Sequence, residues 1–147
     1  GDTRCYLYRR MRLQALTTVH TLGARCRDLT GSPHCPASSW RNVLWNAVTG
    51  SPRDAEPEFV HCQLNLGDAL VLVTAPLAPI LTEARLTDVL REDDSASRTC
   101  DHLVGLARSH GVAEDGAVLV MRFRSPQRWA QLQASLDEPS MDRRTPD

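Results

Sequence analysis

The sequence predicts an α+β layered domain, and three features predict it. Strand-like stretches, alternating at residues 4–8 and apolar at 117–123, lie towards both ends of the 147-residue chain. Two helical patterns sit back to back before the last of them. A Gly67-Asp68 turn precedes the most apolar run, Leu70 to Val73. Helices inserted between hairpin-linked strands segregate to one side of an antiparallel sheet, which is the α+β arrangement.

Residues 4–8, RCYLY, alternate and carry aromatics, so they read as a strand. RRM turns the chain and RLQALT returns it. Residues 19–40 hold Gly23, Gly31, Pro33 and Pro36 between polar residues, which allows a short helix around Leu22–Leu29 and then an irregular loop. RNVLWNAVTG, residues 41–50, is apolar and ends in Gly; SPRDAEPE reads as a linker. FVHCQLNLGDALVLV, residues 59–73, predicts a strand on each side of Gly67-Asp68, with Asp68 as a turn residue. Thr82 caps a helix whose apolar positions Leu86, Val89 and Leu90 fall at i, i+3 and i+4. A second helix follows, with Cys100, Leu103, Val104 and Ala107 on one face and Gly111 as its stop. AVLVMRF, residues 117–123, reads as a buried strand. Pro126 opens a short helix with Trp129, Leu132 and Leu136 along one side, and the rest of 124–147 reads as a disordered tail. Residue 1 already stands at the start of a strand, so a sheet partner on the N-terminal side is expected to be missing.

Composition narrows the function classes. The length suits a single domain that builds its core without disulfides. A net charge of −1 gives no nucleic-acid footprint. No apolar run reaches the length of a membrane span, and no signal peptide precedes the first strand. The cysteines number 5, an odd count with no C-x-x-C pair, which reads as free thiols and a cytoplasmic setting. Cys26, His34 and Cys35, with His20 upstream, fit no standard zinc spacing.

Five stretches, in order, carry a resemblance. GDTRCYLY at 1–8 is similar to G-D-S-R-x-Y-L, and LQALTTVHTL at 13–22 to an L-T-x-D-H segment with Val19 in place of the Asp. RNVLWNAVTG is similar to R-N-x-[LI]-T-R-A-[LI]-G. LNLGDALVLVTAPLAPILTEARLTDVL at 64–90 is similar to L-x-x-G-D-x-[LF]-[LV]-L-[CA]-[ST]-D-G-L-[TW]-[DE]-x-[LV]-[ST]-x-x-E-[IL]. LARSHGVAEDGAVLVMRF at 106–123 is similar to A-x-x-x-G-S-x-D-N-x-T-x-[IV]-[VL]-V. These motifs belong to the protein phosphatase 2C family of metal-dependent Ser/Thr phosphatases. The resemblance covers residues 1–123 and corresponds to the C-terminal portion of such a domain. It implies an antiparallel β-sandwich flanked by helices (α-β-β-α layers), incomplete at the N-terminal side.

The resemblance also implies chemistry. The family uses two Mn²⁺ or Mg²⁺ ions to polarise the phosphate and activate a bridging water. Such hard ions need oxygen ligands, chiefly carboxylates. Thr74 falls on the Ser/Thr of the [ST]-D-G motif, Ala75 on its metal-binding Asp and Pro76 on its Gly. A methyl group cannot ligate a metal, and Pro fixes φ where Gly leaves it free. Asp2 resembles the Asp of G-D-S-R, tied in the family to a weaker metal site; its plain alternative is a strand-end residue bonding backbone or Arg4. The gapless register puts Glu114 on the family's closing Asp, and a one-residue shift puts Asp115 there. Asp2, Glu114 and Asp115 are therefore the candidate metal ligands, against the alternative that Glu114-Asp115-Gly116 is a solvated turn. His20 matches the family's His and reads as structural.

Three functions follow. The first is a catalytically inactive pseudophosphatase acting by protein binding or regulation in signalling, with phosphoproteins or kinases as partner classes. The second is part of an active Mn/Mg-dependent protein Ser/Thr phosphatase with an atypical ligand set. The third is an unrelated α+β binding domain.

Overall fold

A computed structural model describes residues 1–31, 40–50, 55–112, 114–127 and 130–131. Strands β1 (Arg4–Arg9) and β2 (Arg12–Ala15) form the first hairpin. Its two-residue turn holds Arg10 at φ 49° and Met11 at φ 64°, the left-handed pair that matches the twist of the flanking strands. Helix α1 (Leu22–Thr30) starts where the Thr21 hydroxyl accepts from the Ala24 N–H, and Gly31 ends it at φ 64°. Strand β3 (Ala69–Val73) leads through a turn into α2 (Glu83–Glu92) and α3 (Ala96–Ser109), and β4 (Val118–Arg122) follows. Thr82 and Ser95 cap α2 and α3 by accepting from the Arg85 and Arg98 N–H groups.

The sheet order is β2-β1-β3-β4, with all neighbours antiparallel. One end of the sheet aligns Arg4, Val73 and Val118; the other aligns Tyr8, Ala69 and Arg122. Alternation turns Tyr6, Tyr8, Ala69, Val71 and Val73 to one face, where they meet Leu86, Val89, Leu90, Leu103 and Ala107 of the helix pair. Each leucine so buried contributes about 2 kcal/mol. Leu77, Ala78 and Leu81, from the turn after β3, close this core. The α+β reading thus stands, with a helix pair layered on an antiparallel sheet. The described residues build this one sheet; its other face presents Leu7, Leu70, Leu72, Leu119 and Met121.

Two expectations need correction. Residues 59–66 do not form a strand beside β3. Both edges of β3 are occupied, by β1 and β4, so no ladder is left for a hairpin partner. The buried face of α3 is Thr99, Leu103 and Ala107, with Cys100 and Val104 at its margins. Thr99 tolerates full burial because its hydroxyl donates to the Ser95 carbonyl at 2.7 Å and accepts from Arg122 at 3.1 Å.

The Tyr8–Ala69–Arg122 end of the sheet is pinned by ion pairs. Asp68 is only 3% exposed, yet it accepts from Arg9 Nε at 3.0 Å, from Arg9 Nη2 at 2.6 Å and from the Asn65 N–H at 2.7 Å. The Arg9 hydrogen bonds hold its carboxyl below the usual carboxylate range. The Arg122 Nη2 donates to the carbonyls of Leu90 and Asp93, which ties β4 to the α2–α3 junction. Burial draws the Arg122 guanidinium below its usual range. Arg98 grips Asp93 at 2.8 Å and holds that carboxyl down as well, and Arg124 pairs with Asp94 at 3.1 Å.

Cys5, Cys62 and Cys100 form no disulfide among the described residues. Among the described residues, no helix is long and apolar enough to cross a membrane. The expected C-terminal helix begins at Pro126 and Gln127, which are helical. Its apolar positions Trp129, Leu132 and Leu136, the tail beyond them, and His34 and Cys35 of the weak zinc pattern lie outside the described residues.

Candidate functional site

The Arg4–Val73–Val118 end of the sheet opens into a cleft of about 810 Å³. Five chain segments build its walls. Asp2 and Arg4 come from the start of β1, and Val19 and Thr21 from the approach to α1. Arg27 stands on α1, while Arg41 and Asn42 belong to the loop beyond it. Ala75, Pro76, Pro79 and Ile80 form the turn after β3, and His110, Gly111, Val112 and Glu114 the exit from α3.

Local chemistry fixes each segment. Thr74 locks the Ala75 turn to β4: its N–H donates to the Ala117 carbonyl at 3.1 Å, and its hydroxyl accepts from the Ala117 N–H at 2.9 Å. Gly116 is required beside it, since a Cβ there would lie 2.5 Å from Leu77 Cγ. The turn carries on with Leu77 N–H donating to the Thr74 carbonyl at 3.1 Å and Leu81 N–H to Leu77 at 2.9 Å.

The loop at 41–45 is held against α1 by backbone bonds. Leu22 N–H donates to the Val43 carbonyl at 2.8 Å and Trp45 N–H to the His20 carbonyl at 3.1 Å. Gly23 makes the approach possible: a Cβ at that position would sit 2.8 Å from Arg41 Cα. Gly23 and Arg27 are four residues apart and share one face of α1. Arg41 therefore docks on the face from which Arg27 emerges.

His20 is structural, as the sequence suggests. Asn46 donates to its Nδ1 at 3.0 Å, and the orientation of Asn46 is fixed because its amide also bonds both the N–H and the carbonyl of Glu56. Nδ1 is thus an acceptor and the proton sits on Nε2, which faces Glu58 at 3.6 Å. The ring packs on Trp45 at 5.0 Å between centroids.

Among the residues singled out from sequence, Asp2, Val19, Ala75, Pro76 and Glu114 all line this one cleft. Asp115, exposed, is not on its wall. Asp2 makes no hydrogen bond or ion pair with Arg4 or with any other described residue, and neither does Glu114. Sequence reasoning missed Arg4, Arg27 and Arg41. The R of G-D-T-R and the R-N of the 41–50 stretch stood inside quoted motifs, but only the fold brings them together.

The donor set does not fit the two-metal centre that the resemblance implies. Ala75 supplies no side-chain oxygen, and among the described residues no three His, Cys, Asp or Glu side chains gather where an ion could be held. Three guanidiniums instead border the space, and cations there oppose a divalent ion.

No protein-family model and no curated protein sequence matches the chain. Its structure does match solved phosphatases. The S. agalactiae serine/threonine phosphatase superposes with a TM-score of 0.72 at 23% identity, over 85% of this chain and 52% of that one. The Mycobacterium tuberculosis serine/threonine phosphatase PstP/Ppp gives 0.72 at 21% identity, over 85% and 53%. A catalytic domain of PstP in complex with two manganese ions gives 0.67 at 22% identity, over 82% and 49%. The chain therefore has the fold of a partial protein phosphatase 2C-like domain and spans about half the length of these proteins.

Proposed function

We propose that the chain is a protein phosphatase 2C-like domain that works by binding and not by phosphate hydrolysis. The observation that carries the reading is Ala75. It lies on the wall of the cleft, on the turn that leaves β3, where the resembled motif has a metal-binding Asp. Pro76 beside it replaces the Gly that gives that motif its backbone freedom. Without the carboxylate, two cations at this point would repel each other with too little negative charge between them. A regulatory role in cytoplasmic signalling, alongside phosphoproteins or kinases, is part of the same proposal.

One observation favours a second reading. Asp2 and Glu114 share the cleft, and neither side chain has a partner among the described residues. An active Mn²⁺- or Mg²⁺-dependent phosphatase with an atypical ligand set would draw on them, and on Asp115 after a shift of its loop.

The test is Mn²⁺-dependent hydrolysis of a phosphothreonine peptide by the full native polypeptide that carries this chain, beside its Ala75→Asp/Pro76→Gly version. The binding reading expects no turnover from the native form and a gain from the restored one. Clear turnover by the native form, abolished by Asp2→Asn or Glu114→Gln, would establish the second reading in its place.

A further inference from the structure

The guanidiniums that border the cleft differ from those of most other described arginines, though Arg10, Arg12 and Arg108 are likewise unpaired among the described residues. Arg9, Arg91, Arg98, Arg122 and Arg124 each pair with an aspartate, and Arg25 lies 4.7 Å from the centroid of Trp45. Arg4, Arg27 and Arg41 have no hydrogen-bond or ion-pair partner among the described residues. Among the described residues, the Nε of Arg4, like that of Arg122, is buried and has no hydrogen-bond acceptor. Leaving a charged donor in that state is unfavourable unless something else fills the role.

Three arginines from three parts of the chain line this cleft for reasons built into the fold. Arg4 is fixed by the β1 ladder, opposite Val73. Arg27 and Arg41 are brought together by Gly23, whose missing side chain admits the Arg41 backbone against the Arg27 face of α1. Asp2 and Glu114 are the carboxylates on the same wall, so the three guanidiniums outnumber them by one.

We propose that this cleft binds the phosphate group of a phosphorylated Ser/Thr peptide directly through Arg4, Arg27 and Arg41, with no metal ion between them. A phosphomonoester carries close to two negative charges at neutral pH and three acceptor oxygens. Guanidinium forks match that acceptor set bidentately and stay charged at any working pH. A dianion supplies counter-charge that the other described residues do not give the three arginines, where a divalent cation would add to the excess. This inference rests on the reading of the cleft as a binding site without a metal centre, and it adds the ligand and the residues that hold it.

Affinity of the full native polypeptide for a phosphothreonine peptide, measured calorimetrically in EDTA and again in Mn²⁺, tests it. Binding is expected in EDTA, absent for the unphosphorylated peptide, and weakened about tenfold by Arg27→Gln and by Arg41→Gln. Both residues are exposed, so folding is retained and circular dichroism checks it. Glu114→Gln gives the sharpest contrast. Removing a like charge from an anion site tightens binding, by about threefold, whereas removing a ligand from a metal site abolishes it. Inorganic phosphate as competitor separates the group from the peptide: peptide and phosphate of equal affinity mean the group alone is read. Binding that needs Mn²⁺, or that Glu114→Gln destroys, overturns both this inference and the binding reading beneath it. No phosphate-dependent binding in either buffer, with no turnover, overturns this inference alone.

Discussion

The two ends of the sheet hold similar charged residues and use them in opposite ways. At the Tyr8–Ala69–Arg122 end, arginines and aspartates are spent on one another: Arg9 with Asp68, Arg98 with Asp93, Arg124 with Asp94, and Arg122 on two backbone carbonyls. At the Arg4–Val73–Val118 end, the side chains of Arg4, Arg27, Arg41, Asp2 and Glu114 border one cleft without pairing among the described residues. Charges used for folding find partners as the chain folds. Charges left over at the rim of a concavity are available to a ligand.

The contrast can be broken most forcefully from the paired end. Arg122→Ala leaves the Leu90 and Asp93 carbonyls and the Thr99 hydroxyl without their donor, and should destabilise the protein by about 3 kcal/mol in denaturant unfolding. Gly23→Ala acts on the other end. Its Cβ would meet Arg41 backbone, so a loss of about 1–2 kcal/mol is expected, together with weaker phosphopeptide binding as the Arg41 loop is pushed away.

Acid sharpens the comparison. The carboxyls of Asp68 and Asp93 are held below their ordinary range by Arg9 and Arg98. A folded-state pKa below the unfolded one stabilises the protein above the unfolded value, about 3.9, and the benefit fades as pH falls through the folded one. Melting temperature should therefore decline below about pH 5, and Asp68→Asn should flatten that decline. An unchanged slope in Asp68→Asn would show that the pair does not set acid stability. The smallest effect belongs to the cleft: Arg27→Gln and Arg41→Gln should alter unfolding free energy by no more than about 0.5 kcal/mol while changing binding. A large loss of stability in either variant would mean that these arginines serve the fold after all.

How much of this was legible in the sequence depends on the range over which each feature acts. The period of Leu86, Val89 and Leu90 and the cap at Thr82 are local, and they gave a helix close to the one observed. The alternation of β1 and the apolar runs of β3 and β4 did the same for the strands. Residues 59–66 failed because strand formation needs a free edge, and β1 and β4 take both edges of β3. Asp68 was read as a turn residue because its main partner, Arg9, lies 59 positions away. Thr99 was missed for a similar reason: its burial depends on Arg122, 23 positions on. In the cleft, Ala75 stood out because a motif surrounds it. Arg4, Arg27 and Arg41 share no local pattern, and a cluster drawn from a strand, a helix and a loop exists only once the chain is folded.

The central claim is that the cleft is an anion site and not a divalent-metal centre. Titrating Mn²⁺ into the full native polypeptide, with the free ion followed by its electron paramagnetic resonance signal, tests this most directly. The account predicts no saturable site in the native form, and stronger Mn²⁺ uptake in Ala75→Asp/Pro76→Gly. Two Mn²⁺ ions taken up tightly by the native form, and released by Asp2→Asn or Glu114→Gln, would contradict it.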